Sequence, residues 1–132
     1  MKNLTIDEFT TVDPITVDPN SKLCKAKTLM IDNGIRHIPV VLNGKGIGIV
    51  SERSLHTLSD DVLENTLVSE VMVINPFTVQ SNNMLKDVVF EMSSRKIGSA
   101  LVNDREQNLY GIFTSVDALN TVIELTMREM KL

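Results

Sequence analysis

At 132 residues, with 42% hydrophobic residues and charges of both signs, the chain holds enough apolar material for the core of one ordinary domain and is neither disordered nor fibrous. Its net charge of −4 argues against a nonspecific grip on nucleic acid, which needs a basic face, and its one cysteine, Cys24, excludes an intrachain disulfide. No run approaches membrane-spanning length, Met1 to Thr10 lacks the basic-then-apolar order of a secretory leader, and the lone thiol fits a reduced cytoplasmic setting.

In chain order, Thr11 to Val17 reads as an extended segment interrupted by Pro14, whose missing N–H suits an edge or a bend. Asp18-Pro19-Asn20-Ser21 is turn chemistry, with Ser21 placed to cap the next helix. That helix is predicted from about Lys22 to Asn33, with Leu23, Ala26, Leu29 and Met30 on one face and Gly34 as its stop. Arg36 to Leu42 is a β-branched run broken by Pro39, Asn43-Gly44 is a hairpin turn, and Ile47 to Val50 is the return strand. A polar helix after Ser51 puts His56 at the surface. Ser59 to Glu70, carrying Asp60, Asp61 and Glu64, is a connector without Pro or Gly, short enough to join two halves into one body.

The plan then repeats. Phe77 to Val79 is extended, a helix from about Met84 to Ser94 turns Leu85, Val88, Val89 and Met92 inward, and strands near Ile97 to Val102 and Leu109 to Phe113 flank a turn through Asn103 to Asn108. Each half is therefore strand, helix, strand, strand, helix. From Val116 to Leu132 a helical pattern carries Leu119, Val122, Ile123, Met127 and Met130. Such a stripe is usually core-facing, and its Met-rich end could meet another subunit.

The repetition is residue by residue. Pro14-Ile15-Thr16-Val17 answers Pro76-Phe77-Thr78-Val79 at an offset of 62, Leu23 answers Leu85, Met30 answers Met92 and Ile35 answers Ile97; one extra residue in the second hairpin moves Gly48 to Gly111. The lead-ins agree too, with Ile6, Glu8 and Phe9 facing Val68, Glu70 and Val71. A repeat over nearly the whole chain is an architectural statement. Its chemistry concentrates in GIFTSVD, Gly111 to Asp117, and its counterpart GIVSERS, Gly48 to Ser54. Thr114 and Asp117 stand where a helix begins, a place that attracts anions. They suit a nucleoside phosphate, with the hydroxyl on phosphate and the carboxylate on a ribose diol. Taken alone they read first as a capping box, which needs no ligand.

Other candidates are weaker. His37 could meet a ligand phosphate or simply be a partly buried strand histidine. Neither His37 nor His56 belongs to a zinc set, because no Cys or His cluster accompanies them. Cys24 lies near the packed face of its helix with no metal partner. Catalysis would need a nucleophile with its base, paired carboxylates or a metal, and the pattern supplies none.

Two elements ending in Gly, two apolar residues, Ser/Thr and, three positions on, Asp or Ser, each after a strand such as Ile35-Arg36-His37-Ile38-Pro39-Val40, resemble a tandem pair of cystathionine β-synthase (CBS) domains, the Bateman module. The likeness covers residues 5 to 125 and leaves no segment for a catalytic domain, so a stand-alone module is expected. The resemblance implies an α+β fold of two pseudo-twofold-related β-α-β-β-α repeats packed through their sheets, with repeat 1 at 5–58, a connector at 59–67, repeat 2 at 68–125 and a helix end at 126–132. It also implies two clefts for adenosine-containing ligands. In the main cleft Asp117 would hold the ribose hydroxyls and Thr114 the phosphate, beside Val116, with Ile112 completing an apolar wall. The base would touch Thr10, Asp13, Ile15, Ile35, Arg36 and His37. The second cleft would use Ile49, Ser51, Arg53, Ser54, Met72, Asn75, Phe77, Ile97, Gly98 and Ser99. There Ser54 replaces the carboxylate, so one competent cleft and one weak or empty one are expected. The function implied is a regulatory sensor, not an enzyme. It would need no resident cofactor and would take AMP, ADP, ATP or another adenosyl compound, as a homodimer signalling to an unidentified effector protein. The alternative is an assembly module with vestigial clefts that docks a partner protein.

Overall fold

The computed structural model describes residues 3–130. A 3-10 turn at Ile6–Glu8 precedes β1 (Thr11–Val12), α1 (Leu23–Asn33), β2 (His37–Leu42), β3 (Lys45–Ser51), α2 (Glu52–Leu55), α3 (Asp60–Asn65), α4 (Val68–Val71) and β4 (Val73–Ile74). The second half continues with β5 (Thr78–Gln80), α5 (Leu85–Arg95), β6 (Ser99–Asn103), β7 (Leu109–Thr114) and α6 (Ser115–Met130). The fold is the mixed α+β class that the sequence implies.

The chain divides into two compact units. The Asp117 unit holds the chain up to Asp13, then Phe77–Glu106 and the stretch from Tyr110 onward. Its sheet runs β1-β7-β6-β5, with β1 antiparallel to β7 and β5 parallel to β6. A parallel pair needs a crossover, and α5 supplies it, burying Leu85, Val88 and Met92 against Ile6, Val102 and Phe113. The Ser54 unit holds Pro14–Pro76 and Gln107–Leu109. Its sheet runs β2-β3-β4, antiparallel throughout, over a core that includes Leu23, Ala26, Met30, Val50 and Leu63.

Local chemistry sets the boundaries. Gly34, at φ 62°, ends α1 in the left-handed region, where glycine carries no side-chain penalty. In the second copy Lys96 stands there at φ 54°, a conformation that costs a side-chain-bearing residue roughly 1–2 kcal/mol. Asn43 and Gly44, at φ 52° and 79°, make the tight hairpin.

Three expectations need correction. Pro39 does not break its strand: β2 runs through it, and its carbonyl accepts the Val17 N–H at 3.1 Å. Ser21 is not the cap of α1, a position taken by Lys22; the Ser21 N–H is spent on the Asp18 carbonyl at 3.0 Å and its own carbonyl on the Val68 N–H at 2.7 Å. Within the connector Ser59 accepts the Val62 N–H at 3.3 Å and starts α3, whose Leu63 is buried. The stripe on α6 does not face the core. Ala118 and Leu125 pack there beside buried Thr121, because the two small residues let the helix lie close. Leu119, Ile123, Met127 and Met130 remain 65, 57, 55 and 81% exposed. The predicted helix end beyond Met130 lies outside the described residues.

The lead-ins are exchanged between the repeats. The Ile6 N–H donates to Asn83 O at 2.8 Å and Leu85 N–H to Leu4 O at 2.9 Å, while Val68 N–H donates to Ser21 O at 2.7 Å and Leu23 N–H to Thr66 O at 2.9 Å. In both copies a glutamate closes the lead-in turn: Glu8 accepts the Thr5 N–H at 2.9 Å and Glu70 the Leu67 N–H at 2.7 Å. Each lead-in then crosses the other repeat's motif strand at its glycine. A Cβ at Gly48 would fall 2.6 Å from Met72 Sδ and 3.0 Å from Val73 O, and one at Gly111 would overlap Thr11 O and Thr10 Cγ2. Gly111→Ala is therefore expected to lower stability by about 1–3 kcal/mol, the usual cost of overpacking. Urea unfolding followed by circular dichroism would show it as a lower midpoint at unchanged slope, and an unchanged midpoint would mean that β1 is not held against β7.

Candidate functional site

The corner where β7 meets α6 is built by the GIFTSVD stretch. Phe113 is fully buried and anchors the strand. Thr114 and Asp117 are half-buried. Asp117 Oδ2 accepts the Thr114 N–H at 2.9 Å and the Thr114 hydroxyl at 3.2 Å, and Thr114 Oγ1 accepts the Asp117 N–H at 3.4 Å. The capping box is thus formed. It does not exhaust the carboxylate, whose Oδ1 accepts the hydroxyl of Thr11 on β1 at 3.0 Å. The first N–H of α6, on Ser115, donates to Gly98 O at 3.0 Å. Val116 is exposed, and Ile112 is buried at 6% exposure.

Two further expected residues share this unit. Thr10 spends its hydroxyl proton on Ile6 O at 2.7 Å, so it keeps accepting capacity alone for any ligand. Asp13 is exposed at φ 50°, its N–H 3.4 Å from Tyr110 O. Asn75, its counterpart, has φ 52°. Both precede proline, which ordinarily forces an extended backbone, and both are of the kind that best tolerates the left-handed region. Neither conformation was expected from the sequence. Ile15, Ile35, Arg36 and His37 belong to the Ser54 unit.

In the Ser54 unit the corresponding corner lies between β3 and α2. Ser51 and Ser54 hydroxyls are 3.2 Å apart, and Glu52 N–H donates to Arg36 O at 2.8 Å, matching Ser115 and Gly98. Arg53 and Asn75 are exposed, Met72 is half-buried and Ile49 is buried. Phe77, Ile97, Gly98 and Ser99 are in the Asp117 unit, where the Arg95 guanidinium lies 4.8 Å from the centre of the Phe77 ring. Sequence reasoning missed Thr11. Its one legible signal was a paired difference across the repeats: Thr11 of the first goes with Asp117 of the second, and Val73 of the second with Ser54 of the first.

The family now follows from comparison. The sequence profile of the CBS domain matches residues 6–60 and 68–124, and the chain belongs to the CBS domain family. A crystal structure of a protein named for acetoin utilization (AcuB) from Vibrio cholerae superposes with a TM-score of 0.90 at 31% identity, covering 99% of this chain and 98% of that one. CBSX2 in complex with AMP gives a TM-score of 0.83 at 21% identity, over 93% of this chain and 98% of that one. The CBS domain pair of MJ0100, in complex with 5′-methylthioadenosine and S-adenosyl-L-methionine, gives 0.80 at 24%, over 92% and 97%. At those identities the last two show the fold alone. The first curated relatives are longer proteins, of which the chain spans 47, 23 and 23%. Among the described residues no helix is long and apolar enough to cross a membrane.

His37 is half-buried on β2. Burial, and then the positive charge of Arg36, hold its pKa below the ordinary 6.5. Arg36 also pairs with Glu52 at 3.5 Å with both side chains well exposed, an ion pair of little energetic weight. A histidine whose folded pKa is depressed binds its proton more readily when unfolded, so stability is complete above pH 6.5 and falls as pH drops towards the folded value. Melting temperature is expected to decline between pH 7.5 and 5.5, and His37→Gln should flatten that decline. Parallel slopes for the two proteins would remove His37 as the cause.

Proposed function

We propose that the chain is a regulatory module, without catalysis of its own, that binds an adenine nucleotide or another adenosyl compound at the Thr114–Asp117 corner. One observation carries this reading: a half-buried carboxylate that keeps accepting capacity after its helix cap is formed, beside a hydroxyl and the start of a helix of 16 residues. Asp117 accepts ribose hydroxyls, and the Thr114 hydroxyl, at the positive end of the helix dipole, meets phosphate. The ligands named for CBSX2 and for the MJ0100 pair support the same chemical class. At the Ser54 corner the charged acceptor is missing. A hydrogen bond to a charged group contributes about 1.5–3 kcal/mol, or roughly ten- to a hundredfold in affinity, so that corner binds weakly or not at all.

The test is a melting series with AMP, ADP, ATP, S-adenosylmethionine and NAD. A ligand at a hundred times its Kd stabilises the native state by about 2.7 kcal/mol, and Asp117→Ala should remove the shift. A shift that survives Asp117→Ala would move the ligand elsewhere, and a flat response across the panel would favour the second reading.

That second reading, an assembly module, is favoured by the exposed face of α6. Ile123 and Met127, beside Asn120, Glu124 and Arg128, line a groove of about 410 Å³, and an apolar stripe left in water suits an interaction surface. The occupant we assign is a second copy of this chain. Light scattering at high concentration should give a dimer mass for the natural sequence and a monomer mass for Ile123→Glu; a monomer for both would leave α6 without that role.

A further inference from the structure

Asp117 is tied from two sides, and the ties leave it a countable capacity. A carboxylate offers about four lone-pair positions, two on each oxygen. Oδ2 fills both, with the Thr114 N–H and the Thr114 hydroxyl. Oδ1 fills one, with the Thr11 hydroxyl at 3.0 Å. Thr11 is 106 positions away in sequence and is held on β1 by its pairing with Ile112. A carboxylate tied at one oxygen still swings about its Cβ–Cγ bond, a broad torsion, as far as the hydrogen bonds at that oxygen stretch. A second tie, from a different part of the chain, fixes its plane.

We propose that Thr11 is a positioning residue for ribose recognition, holding the Asp117 carboxylate in the orientation that a vicinal diol reads. This rests on the adenosyl reading above. The open position on Oδ1 accepts one ribose hydroxyl. The second hydroxyl takes the position on Oδ2 that is vacated when the Thr114 hydroxyl, a free rotor, turns to a phosphate oxygen. Thr11 stays in place throughout, so the carboxylate is ordered before the ligand arrives and less freedom is lost on binding. The Ser54 corner is consistent with one device of two parts. Where Ser54 replaces the carboxylate, Val73 replaces the hydroxyl that would have tied it.

The full chain is titrated calorimetrically with AMP and with 2′,3′-dideoxy-AMP, as the natural sequence, Thr11→Val, Thr11→Ser and Asp117→Ala. Thr11→Val should weaken AMP about two- to tenfold, the net worth of one hydrogen bond, while Thr11→Ser restores it. The dideoxy compound should bind Thr11→Val and the natural sequence alike, because without the diol there is nothing for the oriented carboxylate to meet. AMP affinity unchanged by Thr11→Val overturns the proposal, as does an equal loss for both nucleotides, which would make Thr11 a packing residue of β1. If the natural sequence does not distinguish the two nucleotides and Asp117→Ala changes neither, or if AMP does not bind, the ribose reading of the corner fails first and the role of Thr11 with it. A melting curve of Thr11→Val, with its methyl in place of the hydroxyl, confirms that it is folded.

Discussion

The lead-in strand must lie almost against the backbone of the motif strand, and much of the rest depends on that crossing. At Gly111 the carbonyl of Thr11 occupies the volume that any side chain would need, and at Gly48 the carbonyl of Val73 and the sulfur of Met72 do the same. The glycine that opens each motif is therefore a packing requirement before it is anything else. It admits β1 to the edge of β7 in register Thr11 to Ile112, and β4 to the edge of β3 in register Ile49 to Val73. Because each lead-in serves the other repeat's body, neither body is complete on its own stretch of chain: Val68 and Leu23 share one core, Ile6 and Leu85 the other.

The same crossing gives the two copies one scaffold with different chemistry. In each, the residue after the motif's hydroxyl gives its N–H to the residue just before the neighbouring strand, Ser115 to Gly98 and Glu52 to Arg36. In each, an Asx residue before proline takes positive φ at the end of the lead-in, Asp13 and Asn75. What differs is the pair that the crossing brings together. Thr11 and Asp117 make a tied carboxylate, and Val73 and Ser54 make none, leaving Ser54 to pair with Ser51. A half-buried charge is costly to desolvate unless hydrogen bonds meet it, and Asp117 is met by three donors. The ties that make this acid tolerable also orient it.

Much of this was legible in the sequence, and the losses have physical causes. The repeat showed as a residue-by-residue match at a fixed offset, and the two inward helix faces, the Asn43-Gly44 turn and the Thr114–Asp117 cap are local patterns, each set by neighbours within a few positions. The family likeness carried the α+β class. The exchange of lead-ins could not be read, because an offset of 62 aligns Ile6 with Val68 whichever body each one packs on. Thr11 was passed over for the same reason: its partner is 106 residues away, and a threonine in a two-residue strand has no periodicity to betray it. The stripe on α6 misled for a different reason. Hydrophobic spacing identifies an apolar face and is silent on whether the protein itself covers it, and here small Ala118 and Thr121 hold the inner side.

One helix joins the candidate site to the exposed surface. α6 begins beside Thr114 and runs 16 residues to Met130, with its first turn tied to β7 and, through Asp117 and Thr11, to β1. Farther along, Arg128 reaches Glu124 at 3.1 Å and lies 5.8 Å from the centre of the Phe9 ring, so the lead-in grips the helix near both of its ends. A ligand that adds hydrogen bonds to Asp117 and Thr114 strengthens the first of these grips. For a sensor, the ligand must favour one state of the reporting element over another, and the coupling must act equally in both directions. In the proposed sensor the element that would report such a difference is α6, which the same lead-in touches near its start and near its end and which carries exposed Ile123 and Met127. Docking on the outer face of α6 and ligand binding at its first turn would then draw on the same stiffening of β1 against the helix.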